Sequence, residues 1–141
     1  MMNSRSRVFV GSILAFVLGA APLFAEPYSP QGLWEAEDKE SRYEVSLCGD
    51  GTQLCAELIW IRPDVINDRN KVYLNTYVVE NASRANEREW RGTINLYGHS
   101  VAGNVRLLSE DYLQVRGCAL LIICERKLLV RMAEVAEETA D

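Results

Sequence analysis

Apolar and polar residues alternate with a period of two along most of the chain, and this pattern constrains the fold more than any other feature. Such alternation is typical of β-strands that bury one face. The clearest runs are residues 43–48, 54–60, 90–96, 101–107 and 113–116. A first strand around Trp34, another at Val72–Val79 and a last one at Leu128–Met132 bring the number of predicted strands to about eight.

Short clusters of turn-forming residues separate these runs, at residues 49–51, 98–99 and 109–111. Short turns join antiparallel neighbours, so the predicted fold is all-β, a small antiparallel up-and-down barrel. A strongly curled sheet and a sandwich are also compatible with the pattern. Residues 62–70 and 80–89 are polar and irregular, and we expect one of these segments to form a short helix or a lid.

The four cysteines fall into two close pairs, each bracketing a stretch between strand-like runs. Cys48 and Cys55 are seven residues apart, and Cys118 and Cys124 are six apart. Both spacings are wider than the Cys-x-x-Cys of redox enzymes and than most zinc-ligand pairs. We therefore predict two local disulfides, with free thiols and a metal or redox site as the alternatives. No metal and no other cofactor is expected.

Residues 1–25 have the order of a secretory signal peptide: Arg5 and Arg7, the apolar run Val8–Leu18, and a small residue, Ala25, at the cut. A retained membrane anchor is the alternative, but the apolar run is short for a span of about 20 residues. We predict cleavage near Ala25 and no stable membrane anchor afterwards. The protein is then periplasmic or secreted, in an oxidising compartment where cystine persists.

Cleavage leaves a predicted barrel domain at residues 26–132 and an acidic C-terminal tail at residues 133–141. The remaining chain has 13 Lys and Arg residues against 20 Asp and Glu residues, a net charge of −7. Binding to nucleic acid or to an anionic membrane requires a basic patch. We therefore expect neither nucleic acid nor an anionic membrane as a partner.

Several short motifs resemble those of domain of unknown function 2147, a family of small exported bacterial proteins. The motifs lie within residues 31–132 and are Gly32-Leu33-Trp34, Leu54-Cys55-Ala56-Glu57-Leu58, Trp90-Arg91-Gly92 and Val115-Arg116-Gly117-Cys118. The resemblance implies a lipocalin-like barrel without an assigned activity. In such barrels an opening tryptophan closes the floor and packs against a late basic residue. The matching residues here are Trp34 and Arg131.

Residues with catalytic potential do not form a recognisable set. The chain has no Gly-x-Ser-x-Gly motif, and its one histidine, His99, lies in a predicted turn. Glu44 and Glu57 could face each other across the first hairpin, but both are on the polar phase of their strands. Nucleophilic catalysis needs a nucleophile, a base and an orienting group together. We predict that the protein is not an enzyme.

Two functions agree with these features. The first is an exported lipocalin-like binding module for a small apolar or amphipathic molecule, with Trp60 and Trp90 lining the interior. The alternative is an envelope protein-interaction or inhibitor module without a small-molecule ligand. Such a module would use residues 62–70 or the uninterrupted apolar stretch Ala119–Ile123.

Overall fold

Eight antiparallel strands form a closed barrel in which every strand pairs with its neighbours in sequence. The computed structural model describes residues 19, 20, 28–96, 98–120 and 122–133. The strands are β1 (Gly32–Ala36), β2 (Ser41–Cys48), β3 (Gln53–Ile61), β4 (Thr76–Asn86), β5 (Glu89–Leu96), β6 (His99–Leu107), β7 (Tyr112–Ala119) and β8 (Ile123–Arg131). In this part of the chain the one helical element is a 3-10 turn, Lys71–Tyr73.

The barrel closes because β8 pairs with β1 in antiparallel fashion. The register places Trp34 opposite Arg131, and Ala36 opposite Leu129. This pairing removes the open edges that a curled sheet or a sandwich would leave. The predicted all-β up-and-down barrel of about eight strands is therefore confirmed.

The fourth strand differs from its prediction at both ends. Val72 lies in the 3-10 turn rather than in a strand, and β4 begins four residues later, at Thr76. The strand then continues to Asn86, through a segment predicted to be irregular. Only Val79 and Ala82 are buried in β4, and its register with β3 shifts twice. So few buried side chains leave little periodic signal in the sequence.

Alternate side chains of the strands fill the barrel and form one core. Aliphatic residues from all eight strands, together with two tryptophans, make up its buried cluster: Trp34, Ala36, Val45, Leu54, Ala56, Val79, Ala82, Trp90, Ile94, Val105, Leu107, Leu113 and Leu129. Burial of this apolar surface is the main stabilising term of a small barrel.

One end of the barrel is closed by Trp34 and Arg131. The indole of Trp34 is fully buried, and its Nε1 donates to the carbonyl of Pro30 at 2.9 Å. The guanidinium of Arg131 lies 4.2 Å from the centre of the indole ring. It also donates to the carbonyls of Ser29, Gln31 and Glu110, each at 2.7 Å. Arg131 thus ties β8 to the segment before β1 and to the β6–β7 loop.

A buried carboxylate stabilises the outer face of β5 and β6. Glu89 is only 4 % exposed and accepts hydrogen bonds from Arg91 at 2.8 Å, Asn104 at 3.1 Å and Arg106 at 2.8 Å. The hydrogen bond from Arg91, then those from Arg106 and Asn104, lower the pKa of Glu89 from 4.5 to about 2. The carboxyl group of Glu89 is therefore ionised at neutral pH.

Two predicted segments fall outside this description. The signal peptide, residues 1–25, is described only at residues 19 and 20. The acidic tail, residues 133–141, is described only at Ala133.

Trp34→Ala should lower the free energy of unfolding by about 3–5 kcal/mol, because it empties a fully buried indole site at the closed end. Trp60→Ala is the matched control, since Trp60 is only partly buried. Its loss should be about 1–2 kcal/mol. Urea unfolding followed by circular dichroism measures both values. Equal losses in the two variants would contradict the closing role of Trp34.

Glu89→Gln should remove one part of the acid sensitivity of the barrel. Since the pKa of Glu89 is lowered on folding, its stabilisation is complete above about pH 4.5 and is lost as the pH falls towards about 2. The variant should be less stable than the parent at neutral pH, and the difference should shrink through this window. Urea unfolding at a series of pH values measures it. A difference that stays constant down to the lowest pH would contradict the assignment.

Candidate functional site

The end of the barrel opposite Trp34 and Arg131 opens into a cavity of about 750 Å³. It lies where β2 begins and β3 ends, beneath the loop that joins β3 to β4. Its apolar wall consists of Leu58, Ile61, Val65, Val72, Val78, Ile94 and Val115. Its charged side chains lie in the segment after β1 and at the start of β8: Asp38, Glu40, Glu125, Arg126 and Lys127. The volume is in the range of ordinary small-molecule sites.

The β3–β4 loop, residues 62–75, covers part of this mouth. Asn70 and Tyr73 of the loop line the cavity. The loop is organised by its own polar contacts, since Asn67 Oδ1 accepts from the backbone amides of Arg69 and Asn70, and Asn70 Nδ2 donates to the Val65 carbonyl. Residues 62–70, one of the two segments predicted to form a lid or a short helix, lie in this loop; the 3-10 turn Lys71–Tyr73 follows them, and residues 80–86 belong to β4.

A smaller apolar pocket of about 50 Å³ lies beneath the main cavity. Five residues line both spaces: Tyr43, Val78, Ile94, Val115 and Lys127. The rest of the inner wall is aliphatic, from Ala56, Val105, Leu113 and Leu129. The lining therefore becomes more apolar from the mouth towards the inner pocket.

Lys127 is the one charged side chain that lines this inner pocket among the described residues. It is registered opposite Val115, on the inward phase of β8, two residues before the buried Leu129. Its Nζ lies 3.8 Å from Asp38 Oδ2 at the mouth, a distance too long for a close hydrogen bond. Nearby, Ser41 Oγ donates to the hydroxyl of Tyr43 at 3.0 Å. Ammonium and hydroxyl groups thus stand at the neck between the two spaces.

Sequence reasoning missed Lys127 and Tyr43. Both could have been found from alternation, because Lys127 precedes Leu129 by two residues and Tyr43 precedes Val45 by two. A lysine on an inward phase is unusual, since burial of a charge is costly. That signal was available in the sequence.

The two tryptophans expected to line the interior do not border the cavity. Trp60 is registered opposite Arg42, whose guanidinium lies 4.1 Å from the centre of its ring. Arg42 and its ion-pair partner Glu35 are on the outer face, so Trp60 lies outside the barrel. The cause is a bulge: Tyr43 pairs with Leu58 and Arg42 with Trp60, which leaves no partner for the residue between. The prediction that Trp60 lines the interior is thus wrong.

Trp90 is inside the barrel but at the other end. It is 2 % exposed and packs in the core, and its Nε1 donates to the carbonyl of Thr52 at 2.9 Å. Thr52 lies in the β2–β3 turn at the closed end. Trp90 therefore fills the barrel beneath that turn, and it is absent from the lining of both cavities. The prediction that Trp90 lines the interior cavity is therefore wrong, and its role is to pack in the core.

Both cysteine pairs are joined as disulfides, Cys48–Cys55 and Cys118–Cys124. The first lies at the closed end, beside the β2–β3 turn. The second links directly opposite residues of β7 and β8 at the mouth end. Two disulfides in a small domain indicate an oxidising compartment.

The other titratable groups considered in the sequence lie outside the cavity. His99 is exposed at the start of β6. Glu44 and Glu57 are directly opposite each other, on the outer phase of β2 and β3. The described residues contain no group of three His, Cys, Asp or Glu side chains placed to hold a metal ion. In the same part of the chain, no helix has the length and apolar character needed to cross a membrane.

Comparison with known proteins identifies a family. The profile of the family described as "Uncharacterized protein conserved in bacteria (DUF2147)" matches residues 32–131, which is the span of the eight strands. Searches of curated proteins and of solved structures found no match. The matched span exceeds half of the chain and confirms the resemblance seen in its motifs. The chain belongs to the DUF2147 family.

Proposed function

We propose that the protein is an exported binding module that holds one small amphipathic molecule inside its barrel. The observation that carries this proposal is the cavity of about 750 Å³, which opens at one end and continues into an apolar pocket. The other end is sealed by Trp34 and Arg131. A barrel of eight strands is just wide enough to hold one small ligand.

The geometry also suggests how the ligand lies. Its apolar part would occupy the inner pocket, against Ala56, Val105 and Leu113, where burial of apolar surface supplies the affinity. Its polar head would lie at the neck, next to the ammonium group of Lys127 and the hydroxyl of Tyr43. An ammonium group has only donors to offer, so an anionic or acceptor-rich head is favoured. The module would act by shape and burial, without a catalytic step.

The proposal also covers where the protein resides and which kinds of partner it binds. The predicted signal peptide and the two disulfides support a periplasmic or secreted protein, released from the membrane after cleavage near Ala25. The net charge of −7 after cleavage argues against a nucleic-acid partner.

An envelope protein-interaction or inhibitor module is the second candidate. It is favoured by the exposed apolar end of the β7–β8 hairpin, where Leu120 and Ile122 are each more than four-fifths exposed. Under this alternative the cavity has no ligand, and the hairpin end binds a protein of the envelope. The two candidate functions predict different effects of a substitution inside the barrel. Such a substitution removes the activity of a ligand-binding module but not that of a module that binds a protein through the hairpin end.

Val115→Trp should abolish ligand uptake, because the added indole occupies the junction of the two spaces that Val115 lines. The probe is anilinonaphthalene sulfonate, which has an apolar body and an anionic head, and its fluorescence reports binding. Thr93→Trp is the control, since Thr93 is exposed on the outer phase of β5. We expect a loss of about tenfold or more for Val115→Trp and none for Thr93→Trp. Unchanged binding by a folded Val115→Trp would contradict the proposed site.

Lys127→Met should weaken binding of the anionic probe by roughly tenfold, because it removes the charged donor at the neck but keeps the length of the side chain. Binding of the uncharged analogue, phenylnaphthylamine, should not weaken. Fluorescence titration of both probes against the parent protein and the variant gives the comparison. Equal losses for the charged and uncharged probes would exclude a head-group role for Lys127.

A further inference from the structure

The tip of the β7–β8 hairpin presents bare apolar side chains to solvent at the mouth end. Leu120 is 82 % exposed, Ile122 is 83 % exposed and Ile123 is 60 % exposed. We call these three residues the apolar tip. The disulfide Cys118–Cys124 lies immediately behind it and joins opposite residues of the two strands. The tip therefore sits on a covalently closed base.

A second apolar protrusion lies across the mouth. In the β3–β4 loop, Ile66 is 40 % exposed and Val72 is 59 % exposed. This loop and the β7–β8 hairpin are separated by four strands of the closed eight-stranded barrel, so they stand on opposite sides of the opening. A flat apolar layer could contact both protrusions at once.

Basic side chains lie just behind the apolar tip and form a local basic pair, although the chain after cleavage is acidic as a whole, with a net charge of −7. Arg116 and Arg126 are directly opposite each other on β7 and β8, and both are exposed. Neither forms an ion pair with any residue in the described part of the chain. The neighbouring carboxylate, Glu125, is registered opposite Gly117 and so belongs to the other phase of β8. Like charges directly opposite each other destabilise a sheet. An anion bound between Arg116 and Arg126 would offset the repulsion between their charges.

The spacing of the two features matches a phospholipid surface. Arg116 is four residues from Leu120, about 13 Å along an extended strand. Apolar side chains of interfacial proteins enter the acyl boundary by about 5–10 Å, while basic residues remain at the level of the phosphates. The tip and the arginine pair have this order along the hairpin.

We propose that the β7–β8 hairpin docks the mouth of the barrel onto a phospholipid surface. The apolar tip enters the outer acyl layer, Arg116 and Arg126 contact lipid phosphates, and the β3–β4 loop rests on the same surface. The docking itself rests on the hairpin alone. Its purpose, exchange of an amphipathic ligand between the bilayer and the cavity, rests on the function proposed above.

The test measures partition of the disulfide-bonded protein onto vesicles of phosphatidylethanolamine and phosphatidylglycerol by co-flotation. The parent protein should float with the vesicles. Leu120→Ser combined with Ile122→Ser should lower the partition coefficient by about tenfold or more. Arg116→Gln combined with Arg126→Gln should lower it by about tenfold. The arginine variant should also have a higher Tm than the parent, because the like-charge pair is gone.

Matched controls lie at the closed end. Leu108 and Tyr112 are 43 % and 45 % exposed, so Leu108→Ser with Tyr112→Ser removes comparable apolar surface there. Arg84→Gln with Arg88→Gln removes two positive charges, as many as Arg116→Gln with Arg126→Gln removes. Both control variants should float as the parent does.

Three results would overturn the proposal. One is a parent protein that fails to float with the vesicles, and another is a tip variant that floats as well as the parent. The third such result is a fall in the partition coefficient of the control variants as large as that of the tip variants. Capture of an envelope protein through the tip, with no flotation, would assign the hairpin to a protein partner instead. Val115→Trp separates the two proposals. If it loses the fluorescent probe yet still floats, ligand binding and docking are independent properties.

Discussion

The seam between β8 and β1 is the constraint on which the rest of the structure depends. Only three residue pairs form this seam, because β1 is five residues long. Arg131 compensates by stacking on Trp34 and donating to three carbonyls from two separate segments. Closure at this point removes the last free edges of the sheet. It also seals one end, so any space inside the barrel must open at the other.

The two ends differ in the size of their inward side chains, and this difference connects fold to function. Indoles of Trp34 and Trp90 fill the closed end. Towards the mouth the inward positions hold smaller residues such as Val78 and Val115, and a cavity of about 750 Å³ results. Lys127 lies on this inward surface with its side chain 37 % exposed, and its ammonium group is 3.8 Å from the carboxylate of Asp38.

Alternation and turn residues were enough to predict the class of fold and the number of strands, and the spacing of the cysteines was enough to predict their pairing. They failed where the backbone departs from regular pairing. Leu54, Ala56, Leu58 and Trp60 alternate without a break in the sequence, yet a bulge after Leu58 turns Trp60 outwards. Sequence carries no sign of such a bulge. The position of the cavity could not be predicted either, because it depends on which end of the barrel receives the bulky residues once the strands are aligned.

Native mass spectrometry of the protein, isolated from the envelope of a bacterium that produces it, tests the central claim most directly. We expect a complex heavier than the disulfide-bonded polypeptide by one small molecule, which is released on unfolding, as is typical of cavities of this volume. Val115→Trp from the same preparation should carry no such molecule. The bare polypeptide mass in the parent protein, under conditions in which the barrel is folded, would contradict the account.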